Sequence, residues 1–337
     1  MATQLNPKGL FDVAFSFMAS RTVLSAVELG VFGVLGQAPM PLDALSAKLK
    51  LHPRSARDFL DALVALKFLT RDDQGLYANT PETAAFLDPA KPEYVGGMIE
   101  MASRRLYGFW DRLPTALRTG ELQNEVKDGL DLFDELYKDP DRLEVFLGGM
   151  SAISTGPARA LAARFPWTDY KTFADVGCAQ GVMPVTLASA HPHLRGIGYD
   201  LAAVRPVFER FVTKHGLSQR VTFQAGSFFT DPLPDVDVLI MGHILHDWNL
   251  EQKNFLIAAA YKALKPGGVF IAYDAMIDDA RRENVEGLMM SLNMLIETRG
   301  GFDYTGADSR GWFEAAGFKN VRTEPLSPGR SMTLGTK

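Results

Sequence analysis

Residues 242–248 hold the densest group of side chains able to do acid–base chemistry, with His243, His246 and Asp247 close together in the chain. Two histidines beside an acid could ligate a metal ion, but a metal site in a soluble protein normally brings further ligands in recognisable spacing. Cys178 and the four scattered histidines elsewhere do not supply that spacing, so we expect no metal. A histidine in a cleft is more simply interpreted as a general base, because its unperturbed pKa of ~6.5 leaves it mostly neutral near pH 7.

A second chemical signal is the glycine-rich turn that ends the segment 172–181. An apolar strand carrying Asp175 runs into Gly177 and Gly181, and a helix is predicted from Val182, so free backbone N–H groups would point at a ligand. A dinucleotide fingerprint needs a third glycine where Val182 stands, and no Gly-Lys-Ser/Thr follows to form a Walker phosphate loop. The turn therefore predicts a nucleotide-like ligand, and the missing glycine disfavours a nicotinamide oxidoreductase.

Asp200 ends the next predicted strand, where an acid can accept hydrogen bonds from both hydroxyls of a ribose. The alternative is a helix N-cap, since aspartate caps well. In combination with the glycine turn, ribose binding is the favoured interpretation. Trp248 offers a flat face on which an adenine could stack, or it simply fills core.

The elements that must position these residues alternate strand and helix, as in a doubly wound parallel sheet. Ligands of such sheets bind beyond the carboxyl ends of the strands, which is where the polar residues above fall. Predicted strands cover residues 173–176, 195–200, 221–225, 236–241, 268–273, 321–325 and 331–335, and predicted helices cover 182–190, 204–215, 251–263 and 310–316.

The first half of the chain is predicted to be mainly helical. Residues 10–35 are apolar on several helical faces, which favours burial between two copies of the chain or an ordinary core helix. Residues 42–80 have the order of a winged helix-turn-helix, and their weakly basic helix favours a dimerising scaffold over a DNA-reading module. Further helices are predicted at 81–87, 95–101, 107–117, 130–137 and 141–154, with methionines and aromatics that form core or line a pocket for an aromatic ligand.

Composition limits the class of protein. The chain has 337 residues, 22% of them charged, and a formal net charge of −5, so a general nucleic-acid binder is disfavoured and two domains are expected. One cysteine excludes an internal disulfide, and the N-terminal residues lack the apolar core of a signal peptide. No uncharged apolar run reaches ~18 residues, so we expect a cytoplasmic protein without a membrane span.

The motifs taken together resemble the S-adenosylmethionine-dependent small-molecule O-methyltransferases, which include plant caffeate and flavonoid enzymes and their bacterial relatives. The segments that carry the resemblance are 175–181, 198–201, 226–229, 243–248, 264–268 and 292–295. It implies a Rossmann-like catalytic domain at residues 157–337 behind a mainly α-helical, winged-helix dimerisation domain at residues 1–156. It also implies a homodimer, S-adenosyl-L-methionine as cofactor with S-adenosyl-L-homocysteine as product, and a small aromatic acceptor.

Carried over residue by residue, the resemblance implies that His246 is the base, flanked by Asp274 and Asp303. Gly177 would approach the methionine end of the cofactor, and Asp200 would bind its ribose. The implied cofactor-binding set is Asp175, Gly177, Asp200, Leu201, Ser227, Phe228, Gly242, His243 and Trp248, and the implied substrate-binding set is Met101, Trp110, Met150, Asn293 and Met294.

Several positions depart from the family pattern. Ser227 stands where an aspartate usually holds the adenine, and Gly242 stands where many members have a lysine. Asp274 and Asp303 replace the usual glutamates and are one methylene shorter. Cys178 replaces a glycine, and we interpret it as a small residue rather than a reactive thiol.

The function favoured by the sequence is methylation of a hydroxyl on an aromatic or polycyclic small molecule, with His246 as general base. Such a transfer needs donor and acceptor held ~3–3.5 Å apart in line, and a base, since a phenol with a pKa of ~10 is a poor nucleophile while protonated. Two alternatives remain open: an N- or C-methyltransferase of the same fold that works by proximity alone, and a non-catalytic winged-helix regulator that senses a nucleotide-like ligand.

Overall fold

The computed structural model of the chain describes residues 5–91, 93–125 and 139–337. It divides into two compact units, Met1–Gly108 and Phe109–Lys337. The predicted helix at 130–137 lies outside the described residues. The predicted division after residue 156 falls inside a helix, Pro140–Arg164, and stays a prediction of where the dimerisation and catalytic roles separate.

The N-terminal unit has the predicted order of two helices followed by a β-hairpin. Hydrogen-bonding side chains begin the helices: His52 accepts from the Arg54 amide ahead of Pro53, and Thr80 and Thr83 form a reciprocal capping box. The small sheet has the order β1-β3-β2 and is antiparallel throughout. The bounds are α1 Lys8–Ala14, α2 Ser16–Glu28, α3 Val31–Leu35, β1 Met40–Pro41, α4 Leu42–Leu49, α5 Pro53–Ala65, β2 Leu69–Arg71, β3 Leu76–Asn79, α6 Pro81–Phe86 and α7 Gly96–Met101.

The start of this unit leaves large apolar side chains exposed. No residue of α1 is buried, and Leu10 and Val13 are 76% and 77% exposed. The segment Lys8–Glu28 is long and apolar enough to cross a membrane, but core helices of soluble proteins can be equally long and apolar. We call the surface formed by Leu10, Phe11, Val13, Phe15, Phe17 and Met18 the N-terminal apolar face.

The C-terminal unit contains a seven-stranded sheet with the order β6-β5-β4-β7-β8-β10-β9, as far as the structure describes it. The bounds are β4 Thr172–Val176, β5 Arg195–Asp200, β6 Val221–Ala225, β7 Val238–Gly242, β8 Val269–Asp274, β9 Lys319–Ser327 and β10 Arg330–Thr336. Strands β4 to β8 run parallel, but β10 is antiparallel to both β8 and β9. The sheet is thus mostly parallel, as predicted for a doubly wound fold, and its last two strands form an antiparallel hairpin around Gly329.

Helices cover both faces of this sheet. The helices from residue 107 onward have the bounds α8 Tyr107–Trp110, α9 Leu113–Thr119, α10 Pro140–Arg164, α11 Val182–Ala190, α12 Arg205–Lys214, α13 Leu250–Ala263, α14 Val285–Glu297 and α15 Gly306–Ala315. Helix α10 continues past the predicted end at residue 154 and carries Pro157 inside it. Sequence periodicity did not predict α14, which starts where Asn284 caps the Gly287 amide.

Candidate active site

The carboxyl ends of β4, β5, β7 and β8 meet at one edge of the sheet. Since these neighbouring strands are parallel, Gly177, Asp200, His243 and Asp274 all come directly at or after a strand end on that edge. His246 follows in a short 3-10 turn, Leu245–Asp247. The sheet thus collects the predicted polar residues of distant sequence segments at one edge.

The His246 imidazole lies among carboxylates in the interior of the protein. Its Nδ1 is 3.2 Å from Oδ1 of Asp303 and 3.8 Å from Oδ1 of Asp274. The side chain is only 7% exposed, and both aspartates are 0% exposed. Asp303 is therefore the hydrogen-bond partner of Nδ1 and Asp274 a more distant charge, although both are one methylene shorter than the glutamates of the family pattern.

The two flanking aspartates are held by different partners. The Tyr304 hydroxyl donates to Oδ2 of Asp274 at 2.5 Å, and the Asp303 amide donates to the Ser291 hydroxyl on α14. Oδ1 of Asp274 and Oδ2 of Asp303 are buried without a hydrogen-bond partner. Each carboxylate therefore keeps acceptor capacity at the site, which a purely structural carboxylate would have satisfied.

These charges change the basicity of the imidazole. Burial alone would lower the pKa of His246, but the carboxylates of Asp274, Asp303 and Asp247 outweigh it and raise that pKa well above its usual value. Burial also raises the pKa of Asp247 and of Asp274, although the neighbouring imidazole opposes the rise. The protonation of the His246 imidazole is therefore linked to that of Asp247 and Asp274.

The glycine turn after β4 takes the backbone form that a close ligand requires. Gly177 and Gly181 have φ of +75° and +96°, and Ala179 between them has φ +48°. A Cβ on Gly177 would lie 2.2 Å from the Ile244 side chain, so a larger residue would collide there. Asp200 closes the turn from β5 by accepting hydrogen bonds from the amides of Ala179 and Leu201.

Two buried acids lie at this turn, and burial affects the charge of each. Burial raises the pKa of Asp175 to about 8, and the nearby Asp200 charge adds to the rise. Burial likewise raises the pKa of Asp200 to about 6, although the amide bonds from Ala179 and Leu201 oppose it. A ligand that brings ribose hydroxyls and a positive charge, as S-adenosylmethionine does, fits this set of donors and acceptors.

The residues predicted to lie by the adenine follow β6 and β7. The Ser227 amide donates to Asp231, and its hydroxyl accepts from the Phe229 amide at 3.4 Å, so Ser227 shapes its own loop. The Phe228 ring packs against Trp248 in an edge-to-face pair with centroids 5.8 Å apart. Trp248 also packs against Phe229, and the residue as a whole is half-buried.

The structure explains why Gly242 stands where related proteins have a lysine. A Cβ at this position would lie 2.0 Å from the ring of Tyr273, which is itself 2% exposed. His243 follows with φ +56°, donates its amide to the Tyr273 carbonyl, and keeps a buried Nε2 without a hydrogen-bond partner. Burial, together with the charges of Arg330 and His246, lowers the pKa of His243 well below its usual value.

The same histidines and Asp274 offer nitrogen and oxygen atoms within 4.8 Å of one another. That separation alone would let a cation approach, but the His246 and Asp274 atoms also belong to the cluster of the imidazole and its neighbouring carboxylates. We assign no metal to this group, and the predicted absence of a metal stays a prediction.

Some of the predicted acceptor-binding residues are brought together and some are not. The Trp110 indole N–H donates to Oδ1 of Asn293 at 2.9 Å, which joins α8 to α14, and Met294 is buried beside Asn293. Met150 is half-buried on α10. Met101 is buried in the N-terminal unit, and its predicted role in substrate binding stays a prediction.

Two residues near His246 were missed by sequence reasoning. Tyr304 holds Asp274, and Lys253 is a fully buried lysine at the start of α13. The signal for Tyr304 was its place directly after Asp303. For Lys253 no sequence signal existed, since a lysine one turn into a helix is usually exposed.

Comparison with known proteins identifies both halves of the chain. Residues 110–319 match the model of the O-methyltransferase domain, and residues 11–89 match that of the O-methyltransferase dimerisation domain. The chain is 43% identical to the tetracenomycin polyketide synthesis 8-O-methyl transferase TcmO of Streptomyces glaucescens, over 98% of this chain and 97% of that protein. It is 34% identical to the N,N-dimethyltransferase OxyT of Streptomyces rimosus, over 97% of this chain and 94% of that one.

A solved structure agrees with the fold over its full length. The crystal structure of human N-acetylserotonin methyltransferase in complex with S-adenosylmethionine superimposes with a TM-score of 0.92 at 26% identity, covering 100% of this chain and 99% of that one. These matches confirm the predicted fold class, the predicted cofactor and methyl transfer as the predicted activity. The chain belongs to the S-adenosylmethionine-dependent O-methyltransferase family and uses S-adenosylmethionine as its methyl donor.

Proposed function

We propose that the enzyme methylates a phenolic hydroxyl of a polycyclic aromatic acceptor, with His246 as the general base. The observation that carries this proposal is the buried contact between His246 Nδ1 and Asp303, 3.2 Å long, at the carboxyl edge of the sheet. A carboxylate on Nδ1 fixes the tautomer in which Nε2 has a free lone pair. That nitrogen can then accept the proton of an acceptor hydroxyl.

The residues of the chain share the work of the reaction. S-adenosylmethionine, when bound, supplies an electrophilic methyl group on its sulfonium, so the protein mainly aligns the acceptor and removes its proton. His246 takes the proton at Nε2 as the hydroxyl attacks, and Asp303 and Asp274 stabilise the imidazolium that forms. Since the carboxylates raise the pKa of His246 toward that of a phenol, the proton moves between groups of similar basicity.

The raised pKa predicts the direction of the pH dependence. His246 must be neutral to accept a proton, and a raised pKa leaves it protonated at and below neutral pH. We therefore expect kcat/KM to rise as pH increases above 7. A rate that falls over that range would contradict the assignment of His246 as the base.

The acceptor class is proposed from the relatives and from the side chains near α14. TcmO acts in the synthesis of a polyketide, and Trp110, Asn293, Met294 and Met150 would supply aromatic, amide and thioether surface for a flat ring system. We propose that Asp175, Gly177, Asp200, Leu201, Ser227, Phe228, Gly242, His243 and Trp248 surround the cofactor.

The test is transfer from S-adenosylmethionine with a labelled methyl group to a panel of hydroxylated naphthoates, anthraquinones, catechols and aromatic amines. The proposal predicts label in an aryl methyl ether, found by mass spectrometry of the product. The likeness to OxyT makes N-methylation the alternative outcome, and label only on nitrogen or carbon would overturn the proposed acceptor chemistry.

We further propose that the enzyme is a cytoplasmic homodimer in which the N-terminal apolar face is covered by a second copy. The face lies in the region that matches the dimerisation domain, and a monomer would leave Leu10 and Val13 in water. Changing both to glutamate should give a monomer by light scattering. The control, Leu117→Glu, replaces a leucine that is 59% exposed outside this face and should leave the dimer intact.

A further inference from the structure

Lys253 occupies an unusual place for a lysine. It is 0% exposed, and its Nζ donates to the carbonyl oxygen of Trp248 and lies 3.4 Å from the centroid of the Phe302 ring. It stands in the first turns of α13, where the positive end of the helix dipole disfavours a cation. Buried lysines are rare unless they are paired, so neighbouring groups must compensate this charge.

The compensation comes from the carboxylates around His246. Burial lowers the pKa of Lys253 to about 8, and the charges of Asp274, Asp303 and Asp247 oppose that fall. The ammonium therefore keeps its proton near neutral pH. With His246 neutral, the carboxylates of Asp247, Asp274 and Asp303 would lack its positive charge. The buried ammonium of Lys253 would then still favour the ionised forms of Asp247 and Asp274.

Lys253 also touches both segments that meet at His246. Trp248, whose carbonyl it binds, lies two residues after His246, and Phe302, whose ring it faces, directly precedes Asp303. The ring of Tyr304 lies 5.8 Å from the same Nζ, and its hydroxyl holds Asp274. The Lys253 ammonium therefore contacts both the segment that carries the base and the segment that carries Asp303 and Tyr304.

We propose that Lys253 is a positioning residue for proton transfer in this enzyme. Its ammonium holds the Trp248 carbonyl close to the Phe302 ring, which positions Asp303 at His246, and its charge favours the ionised forms of Asp247 and Asp274. This role deepens the proposed function and rests on His246 being the base.

The direction of the effect follows from the groups that face Lys253. These are Asp247 from the turn after β7, Asp274 from β8, and Asp303 and Tyr304 from the segment before α15. Without the ammonium, Asp247, Asp274 and the His246 imidazole would keep their protons to higher pH, because a positive charge that favours the ionised carboxylates would be gone. The acidic limb of the kcat profile should then move to higher pH.

The experiment compares Lys253→Met and Lys253→Arg with the control Lys262→Met, which removes an exposed lysine from the same helix. In the Met variant the acidic limb of kcat should move up by about one pH unit, which lowers kcat about 10-fold at pH 7 and lets much of it return at higher pH. KM for the acceptor should change little. The Arg variant, which keeps the charge, should retain the wild-type limb, as should the control.

A limb at the wild-type pH in Lys253→Met, with only a lower melting temperature, would reduce Lys253 to a structural role and overturn the proposal. If Lys253→Met does not fold, Lys253→Gln, which keeps a hydrogen-bond donor without the charge, is judged by the same shift. The variant His246→Ala distinguishes failure of the proposed function from failure of the role of Lys253. Near wild-type turnover in His246→Ala would contradict the proposed function. An inactive His246→Ala beside an unshifted Lys253→Gln would remove only the role of Lys253.

Discussion

The carboxylates at the two edges of the large sheet differ in how fully they are hydrogen-bonded. At the amino edge, Asp237 accepts hydrogen bonds from the amides of Lys171 and Thr172, from the Thr172 hydroxyl and from the Lys265 ammonium. At the carboxyl edge, Asp274 and Asp303 are fully buried, and each keeps an oxygen without a hydrogen-bond partner.

The pKa values follow the same division. Partial burial alone would raise the pKa of Asp237, but its donors lower it to about 2. Burial raises the pKa of Asp200 to about 6 and raises that of Asp274 as well. The carboxylate of Asp237, with its hydrogen bonds made, stabilises the fold. Asp274 keeps an oxygen without a hydrogen-bond partner, and Asp200 has a raised pKa although it accepts two amide hydrogen bonds, so both remain available to a shared proton or to a ligand. Substitution of these carboxylates one at a time tests that division.

The largest effect is expected at Asp303. In Asp303→Asn the amide can no longer fix the Nδ1–H tautomer of His246, and we expect kcat to fall ~100-fold to 10,000-fold. Asp274→Asn should cost only ~10-fold, since this carboxylate lies farther from Nδ1, at 3.8 Å, and is held by Tyr304. Steady-state kinetics measures kcat of both variants, and an unchanged affinity for S-adenosylmethionine is the control. Equal losses of kcat in the two variants would contradict the larger role assigned to Asp303.

A smaller effect, on cofactor binding, is expected at Asp200. This carboxylate at the carboxyl edge is proposed to bind the ligand, whereas Asp237 at the amino edge binds groups of the protein itself. Asp200→Asn should weaken S-adenosylmethionine binding ~10-fold to 100-fold, because hydrogen bonds to a charged acceptor contribute about 1.5–3 kcal/mol. Since the pKa of Asp200 is raised to about 6, wild-type affinity should also fall as pH drops through 6. Calorimetry at pH 5.5 and 8 measures the affinity for S-adenosylmethionine. The Asp200→Asn variant should show no such fall in affinity between the two pH values.

The smallest effect on catalysis is expected at the amino edge. Asp237→Asn should lower the free energy of unfolding by about 2 kcal/mol and leave kcat unchanged. Because the folded-state pKa of Asp237 is depressed to about 2, its stabilisation is present above pH ~4 and is lost as pH falls toward 2. Denaturant melts at several pH values measure this, and a changed kcat in the variant would contradict the division between edges.

The sequence predicted the carboxyl edge better than it predicted the rest of the molecule. Alternating apolar segments and the acid after β5 were enough to place Gly177 and Asp200, because the carboxyl ends of parallel strands meet at one edge. The return of β10 against β8 was not predictable from alternation, since parallel and antiparallel strands that are buried on both faces look alike in one sequence.

Details of the site depended on distances that no sequence pattern encodes. The resemblance pointed to two flanking acids, but only the coordinates separate Asp303 at 3.2 Å from Asp274 at 3.8 Å. Lys253 was missed because its burial depends on Phe302, a residue distant in sequence. The clash between a side chain at position 242 and the ring of Tyr273 likewise involves residues on two different strands. The sequence shows that Gly242 replaces the lysine of the family pattern, but only the structure shows why.

The central claim is that His246 removes the acceptor's proton. The most direct measurement is the single-turnover rate of His246→Ala, saturated with S-adenosylmethionine, on matched acceptors whose phenol pKa is either ~10 or ~7. We predict a loss of ~100-fold or more with the less acidic phenol and a much smaller loss with the phenol that is already ionised. Equal rates for wild type and variant with the phenol of pKa ~10, or equal losses with both, would contradict the account.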